Sequence, residues 1–547
     1  MTEEKLFYTR AEEGLMRMLE QNPVAATHVG DHRWDDRLAD YRPEALDQRH
    51  REMADALSEF EAMEMDGFSL DAAIDHTVMV KLLASFVRQH ERIQVHRRDP
   101  GGYLSEALGG IVTLLLKEFA PLPARLESAL GRTREVPRVL EEARLNLAAE
   151  EVPRVWAETM LAQAQQAPGL FLALLPAMAA QAAPALQDEF AESGPAAAQA
   201  VEAYSGYVQE EILPQATEEF AVGEDLFDEL LHETHLVDYD ADELLETGWD
   251  LFRDTQAQMD ALSREIDPAR PARDILEAAK ADHPAAGELL DAYRAAMAES
   301  RQYVVDHHIA SIPEDESLRI VETPLYLRPI IPYAAYMAPG ILEDKQDGIF
   351  LVTPVDPDTP PEEQEEKLKG HYWAKLPITA LHEAYPGHHL QLVWANRSES
   401  VPRRMSSFLS SFFVEGWAFY CEELLEQMGY IASPVQRLGR LSDQLWRAGR
   451  IILDVSLHTR GMSVEEGVDF LVDECQLEPT NALAEVRRYT ETPTQPQSYL
   501  MGKLAIVDLI DDFRRQDPDA TLREVHDAIL SSGSLPPRLM RRQLGLD

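Results

Sequence analysis

Along residues 1 to about 320, apolar residues recur at spacings of three and four, as in ALDQRHREMADALSEFEAM (45–63) and PRVLEEARLNLAAEEVPRVWAETMLAQA (137–164). That period lines one face of a helix with apolar side chains, so it predicts helix after helix. Acidic residues and prolines supply helix starts, as in DYDADELLETGWDLFRDTQ after Leu236. No strand pattern, fixed-period repeat or long low-complexity linker interrupts the series. The most apolar stretch, PGLFLALLPAMAAQAAPAL (168–186), is broken by Pro168, Pro176 and Pro184 and carries Gln181. It therefore predicts buried helices rather than a membrane span.

The texture changes between 318 and 355, where LRIVETPLYLRP, IPYAAYMAPG and DGIFLVTPV are short, rich in β-branched and aromatic residues, and bounded by proline, glycine and aspartate. These segments predict a small sheet. The acidic stretch DPDTPPEEQEEKLKG (356–370) reads as a solvated loop or helix start and leads into a helix over 371–397. A strand just before that helix matters, because a strand edge can hold an extended peptide by backbone hydrogen bonds. Helical spacing returns after 400, with one helix over 405–429. The expected fold is mainly α: many helices around a cleft, with the small sheet beside the 371–397 helix. The expected organisation is a helical half over 1–240 and a catalytic half over 241–547, with no true linker.

Composition narrows the partners. The 547 residues include 97 acidic and 50 basic side chains, a formal net charge of -47. Such a surface lacks the basic footprint that nucleic acid or an anionic membrane needs. Only nine of the basic residues are lysine. Many carboxylates with few lysines resemble the surfaces of proteins from salt-accumulating halophiles, where salt screens the repulsion. Cys421 and Cys475 are the only cysteines, too few for a disulfide framework or a cysteine zinc ribbon. The amphipathic start MTEEKLFYTRAEEGLMRMLE has no basic region followed by an apolar one, so a cytoplasmic protein is expected.

The chemistry concentrates in HEAYPGHH, His382 to His389. Two histidines on one helix face, with a glutamate beside the first, form the zinc-peptidase pattern in which the glutamate is general base. The usual spacing is about four residues; here the second histidine stands six or seven residues on. On an ideal helix seven residues return to nearly the same face and six to about a third of a turn away, which favours His389. Pro386 removes the amide that would bond back to His382 and Gly387 permits a distorted turn, so a bulge can instead return His388. Both histidines remain candidates on this reading. For the third ligand, Glu415 in SSFFVEGWAFYCEELLEQMG is a lone carboxylate in an apolar stretch, costly unless paired or bound to metal. Glu422, seven residues later, is placed to orient a ligand histidine. HETH at 232–235 has histidines three apart in acidic surroundings and reads as a solvated face, as does His307-His308.

HEAYPGHHLQ, VEGWAFYCEEL and RRYTETPTQPQSYLMGK (487–503) together resemble the domain of unknown function 885 family of bacterial and archaeal proteins. ATHVGDHRWDDRLADY and DGIFLVTP resemble it too, so the likeness covers most of the chain. A more distant similarity is to glutamate-ligand zinc peptidases, the thimet-oligopeptidase-like and angiotensin-converting-enzyme-like proteins. Laying their Gly-His on Gly387-His388 implies His382, His388 and Glu415 as ligands of one zinc ion and Glu383 as the base. It also implies Tyr499 as oxyanion donor, with Arg488 and Tyr489 binding a substrate carboxylate or lining the cleft. The expected function is hydrolysis of amide bonds in short peptides, zinc lowering the pKa of its water while Glu383 moves the proton. Two other classes are carried beside it. A two-histidine, one-carboxylate site also suits a non-haem iron oxygenase, although that has no need of Glu383. The third is an inactive helical binding protein.

Overall fold

The spacing of three and four is realised as helices in the computed structural model, which describes residues 2–165, 167–323, 328, 331 and 334–546. The protein is mainly α, with one small sheet. Two compact units divide it, Met1–Phe220 with Gly340–Glu343, and Ala221–Pro339 with Asp344–Asp547.

The first unit is helical. Its helices include α1 (Glu3–Gln21), α2 (Pro43–Glu61), α3 (Leu70–Arg88), α4 (Pro100–Leu116), α5 (Leu122–Asn146) and α6 (Gln187–Tyr207). Caps start several of them: Thr2 accepts from the Lys5 amide at α1, and Ser69 from the Ala72 amide at α3. Such caps satisfy amides that have no partner within the helix. Phe7 and Ala11 of α1, Phe60 of α2, and Met79 and Leu83 of α3 form one apolar cluster. Arg132 of α5 is fully buried, and its guanidinium donates to the carbonyls of Arg37, Gly110 and Pro23 and to Thr27 Oγ1. A cation is tolerated in a core when its donors are met in this way. The apolar stretch at 168–186 buries only one side: Leu170, Phe171, Leu175 and Ala179 are covered while Leu172 is 52% exposed. No helix among the described residues is long and apolar enough to cross a membrane.

The second unit holds the sheet. After α7 (Ala241–Ile266) and α8 (Leu289–Asp306) come β1 (Glu316–Glu322), β2 (Ala334–Met337) and β3 (Gln346–Val352), in the order β1-β3-β2. β1 runs parallel to β3 with Leu318 opposite Gly348, and β2 antiparallel with Tyr336 opposite Phe350. β3 is buried except at Asp347, as a central strand covered on both faces should be. Part of the segment expected to form strands, residues 324–327, 329–330 and 332–333, lies outside the described residues.

The helices that follow include α9 (Leu376–Glu383), α10 (His388–Asn396), α11 (Phe412–Gln427), α12 (Pro434–Thr459), α13 (Pro479–Glu491) and α14 (Ser498–Gln516). Capping boxes start α7 at Asp240 with Glu243 and α12 at Ser433 with Gln436. Where α7 meets α12, Gly248 lies against Ile451, and a Cβ there would come within 2.8 Å of Ile451 Cγ2. The contact between α11 and α14 is closer still. A Cβ on Gly416 would stand 2.4 Å from the Gly502 carbonyl carbon, and one on Gly502 2.2 Å from the Phe412 oxygen. Only two glycines let the backbones approach so far.

Candidate metal centre

The helix expected over 371–397 is two helices with a bend between them. α9 ends at Glu383, the Tyr385-Pro386 peptide is cis, and α10 starts at His388. The bend is built around Gly387, whose Cβ, if it had one, would lie 1.9 Å from the His382 oxygen. Its amide donates to Leu381 O (3.0 Å), and Trp417 of α11, fully buried, donates from Nε1 to Pro386 O (2.8 Å). Two residues more than the usual spacing are thus absorbed without moving the second histidine away from the first.

The result is a cluster. Ligand atoms of His382, His388 and Glu415 lie within 4.8 Å of one another, and these are the only three such groups gathered among the described residues. The two imidazoles stand at 89° with centroids 4.8 Å apart, and His388 Nε2 is 3.4 Å from Glu415 Oε2. His382 Nδ1 pairs with Glu422 Oε1 at 2.8 Å, which leaves Nε2 for an ion. Glu422 is itself buried, on the same face of α11 as Glu415 one step of seven later. Burial opposes ionisation of Glu415, but the His388 hydrogen bond and charge outweigh it and bring the carboxyl down to about 2. Glu383 is half-buried at the end of α9, and no hydrogen bond to its carboxylate is found among the described residues.

His389 is turned elsewhere. One residue further is about 100° further round a helix, and its ring meets the sheet. Nε2 pairs with Glu316 Oε2 at 2.8 Å and Nδ1 with Tyr336 Oη at 3.0 Å. Gly348 of β3 makes room, since a Cβ there would be 2.6 Å from His389 Nδ1. Tyr385 Oη donates to the same Glu316 oxygen (2.5 Å), and Arg301 of α8 pairs with Glu316 Oε1 (3.1 Å). Burial works against the Glu316 charge, but the bonds from His389 and Tyr385 hold its carboxyl below the usual range.

The sequence pattern of the family described as "Bacterial protein of unknown function (DUF885)" matches residues 23–544. The chain belongs to the DUF885 family. Two solved structures share the fold: a candidate lipoprotein of unknown function from Shewanella oneidensis (TM-score 0.80, 24% identity, 99% of this chain and 100% of that one) and a candidate lipoprotein from Colwellia psychrerythraea (0.86, 16%, 100% and 99%). No curated protein matches the chain.

In this DUF885 chain the other expected residues gather on α13 and α14. Tyr499 stands three residues before Gly502, where α14 touches α11, and its hydroxyl is raised by burial and then by the Glu415 charge. Tyr489 is fully buried and donates to Glu485 Oε2 (2.6 Å), while Arg488 pairs with Glu485 and Gln495. Sequence reading missed Arg450 of α12, which stacks 4.4 Å from the Tyr499 ring centroid, and Glu316, the anchor of His389. Neither carries a motif; each resembles any other charged residue on a helix or strand.

The solvated reading of HETH needs correcting at one residue. His232 is exposed, but His235 is buried between Ser410 Oγ and Thr494 Oγ1 (2.9 Å each), and burial pushes it down to about 3. It serves as a neutral core histidine with both nitrogens engaged. His307 and His308 are exposed.

Glu422 gives a direct test of how the cluster is tuned. Glu422→Gln should keep His382 packed but remove the negative charge paired with its Nδ1. Metal affinity is then expected to fall by about 10–100-fold, read by competition with a chromogenic chelator.

Proposed function

We propose that this protein is a zinc-dependent hydrolase that cuts amide bonds in short peptides. The observation that carries the reading is the convergence of His382, His388 and Glu415 within 4.8 Å, with Glu383 next to the first ligand. Two imidazoles and one carboxylate are the donor set of a zinc site that keeps a fourth position open, and the Glu422 bond to His382 is the outer support such sites have. A zinc ion held there supplies a Lewis acid that polarises a carbonyl and acidifies a water.

The chain's residues divide the remaining work. Glu383, which accepts no hydrogen bond among the described residues, takes one proton as the water oxygen bonds to the carbonyl carbon, and delivers it to the leaving nitrogen as the C–N bond breaks. One water is consumed and a carboxylate and an amine are released. Tyr499, on the helix whose Gly502 rests against Gly416 next to Glu415, is the donor we assign to the oxyanion.

The same donor set suits a non-haem iron oxygenase, and the metal distinguishes the two. Purified protein should contain one zinc per chain and digest a peptide library; a chelator should stop the digestion and zinc restore it. Iron as the resident metal, or no cleavage by the zinc-loaded protein, would sink the reading.

A further inference from the structure

Two guanidinium groups, one of them against the Tyr499 ring, share one carboxylate. Arg450 donates from Nε to Tyr489 Oη (2.9 Å) and from Nη2 to Glu485 Oε2 (2.9 Å). Arg488 donates to the same Glu485 oxygen (2.9 Å) and to Gln495 Oε1 (2.8 Å). Two cations against one anion leave one positive charge over. The Arg450 guanidinium is also clamped through its faces, 4.2 Å from the Trp446 ring centroid and 4.4 Å from that of Tyr499. The residue is only 4% exposed.

One corner of this rigid group is unused. Nη1 is buried and has no hydrogen-bond partner among the described residues. Leaving charged N–H donors dry and unpaired is costly, so a core avoids it unless a ligand completes the site. The other two nitrogens are turned to Tyr489 and Glu485, which leaves Nη1 at the remaining corner. Arg450 lies against Tyr499, whose helix rests on that of Glu415 at Gly502 and Gly416, yet it makes no ion pair with Glu415 among the described residues. Arg447, one turn earlier on α12, pairs with Asp443 at 3.4 Å, a carboxylate it shares with Lys375.

We infer that Arg450 Nη1 binds the C-terminal carboxylate of the substrate, so that the peptides cut are those with a free C-terminus and the fragment released is the C-terminal one. The inference rests on the hydrolase reading for its substrate and on Arg450 alone for its site. A carboxylate supplies the one missing negative charge and the acceptor that Nη1 lacks, and it does so through the geometry guanidinium groups favour. An amidated C-terminus offers an acceptor without the charge.

The test compares zinc-loaded full-length protein on matched tripeptides ending in a free acid or an amide. A charge-assisted bond of this kind should favour the acid by about 10–100-fold in kcat/KM. Arg450→Gln should bring that ratio close to one, with Arg450→Lys in between; thermal unfolding reports whether each variant folds. Equal cleavage of acid and amide by the unmodified protein would overturn the inference, whatever the variants do. A second arm needs no turnover: succinate binding measured by calorimetry should weaken at least tenfold in Arg450→Gln, and unchanged binding would overturn the site. If neither peptide form is cleaved, the hydrolase reading alone falls, and the succinate arm still decides whether Arg450 holds a carboxylate.

Discussion

Glu383→Gln is expected to keep zinc at one per chain and to cost about 10²–10⁴-fold in kcat, the usual worth of a positioned general base. Glutamine is nearly isosteric and sits at the same end of α9, so His382, one residue earlier, keeps its place and its bond to Glu422. What is lost is the ability to accept a proton. The carboxylate makes no hydrogen bond among the described residues, so its replacement leaves no partner stranded and should hardly change stability. Metal analysis and steady-state kinetics on the same preparation check both halves. Full turnover with bound zinc would remove Glu383 from the mechanism.

The second large effect separates two adjacent histidines. His388→Ala should weaken zinc binding by more than the roughly hundredfold that losing an outer partner costs, besides the stability lost as Glu415 loses its partner. His389→Ala should leave zinc binding in place. It keeps the metal stoichiometry but strips Glu316 and Tyr336 of a partner in a buried place, with a loss of about 2–3 kcal/mol in denaturant unfolding. A variant of His389 that unfolds at the same denaturant concentration but has lost its zinc would reverse the assignment.

The difference between these neighbours also marks how far the sequence can be read. Regular spacing was enough for the helices, since burying one face is a local decision repeated every turn. Strand composition placed the three strands, although not their order, because the last of them, β3, lies between β1 and β2. His382 and Glu383 were legible as neighbours, and Glu415 as a lone acid in an apolar helix. His388 was not separable from His389, because the choice depends on the path through Ala384–Gly387, and an ideal helix points to His389, which the structure sets against Glu316. Trp417 and Gly387 decide that path, one from a distant helix. Glu316 and Arg450 are silent for a plainer reason. Among 97 acids and 50 bases, a charged residue announces its role only through the partners that the fold brings to it.

The paired glycines of α11 and α14 have a mechanical meaning. Because main chain rests on main chain at Gly416 and Gly502, the two helices cannot slide past each other by repacking side chains. Glu415 and Tyr499 sit on either side of that fulcrum, one residue and three residues away from it. A displacement of one helix is therefore passed to the other, and the spacing between the backbones that carry Glu415 and Tyr499 is set by main-chain contact.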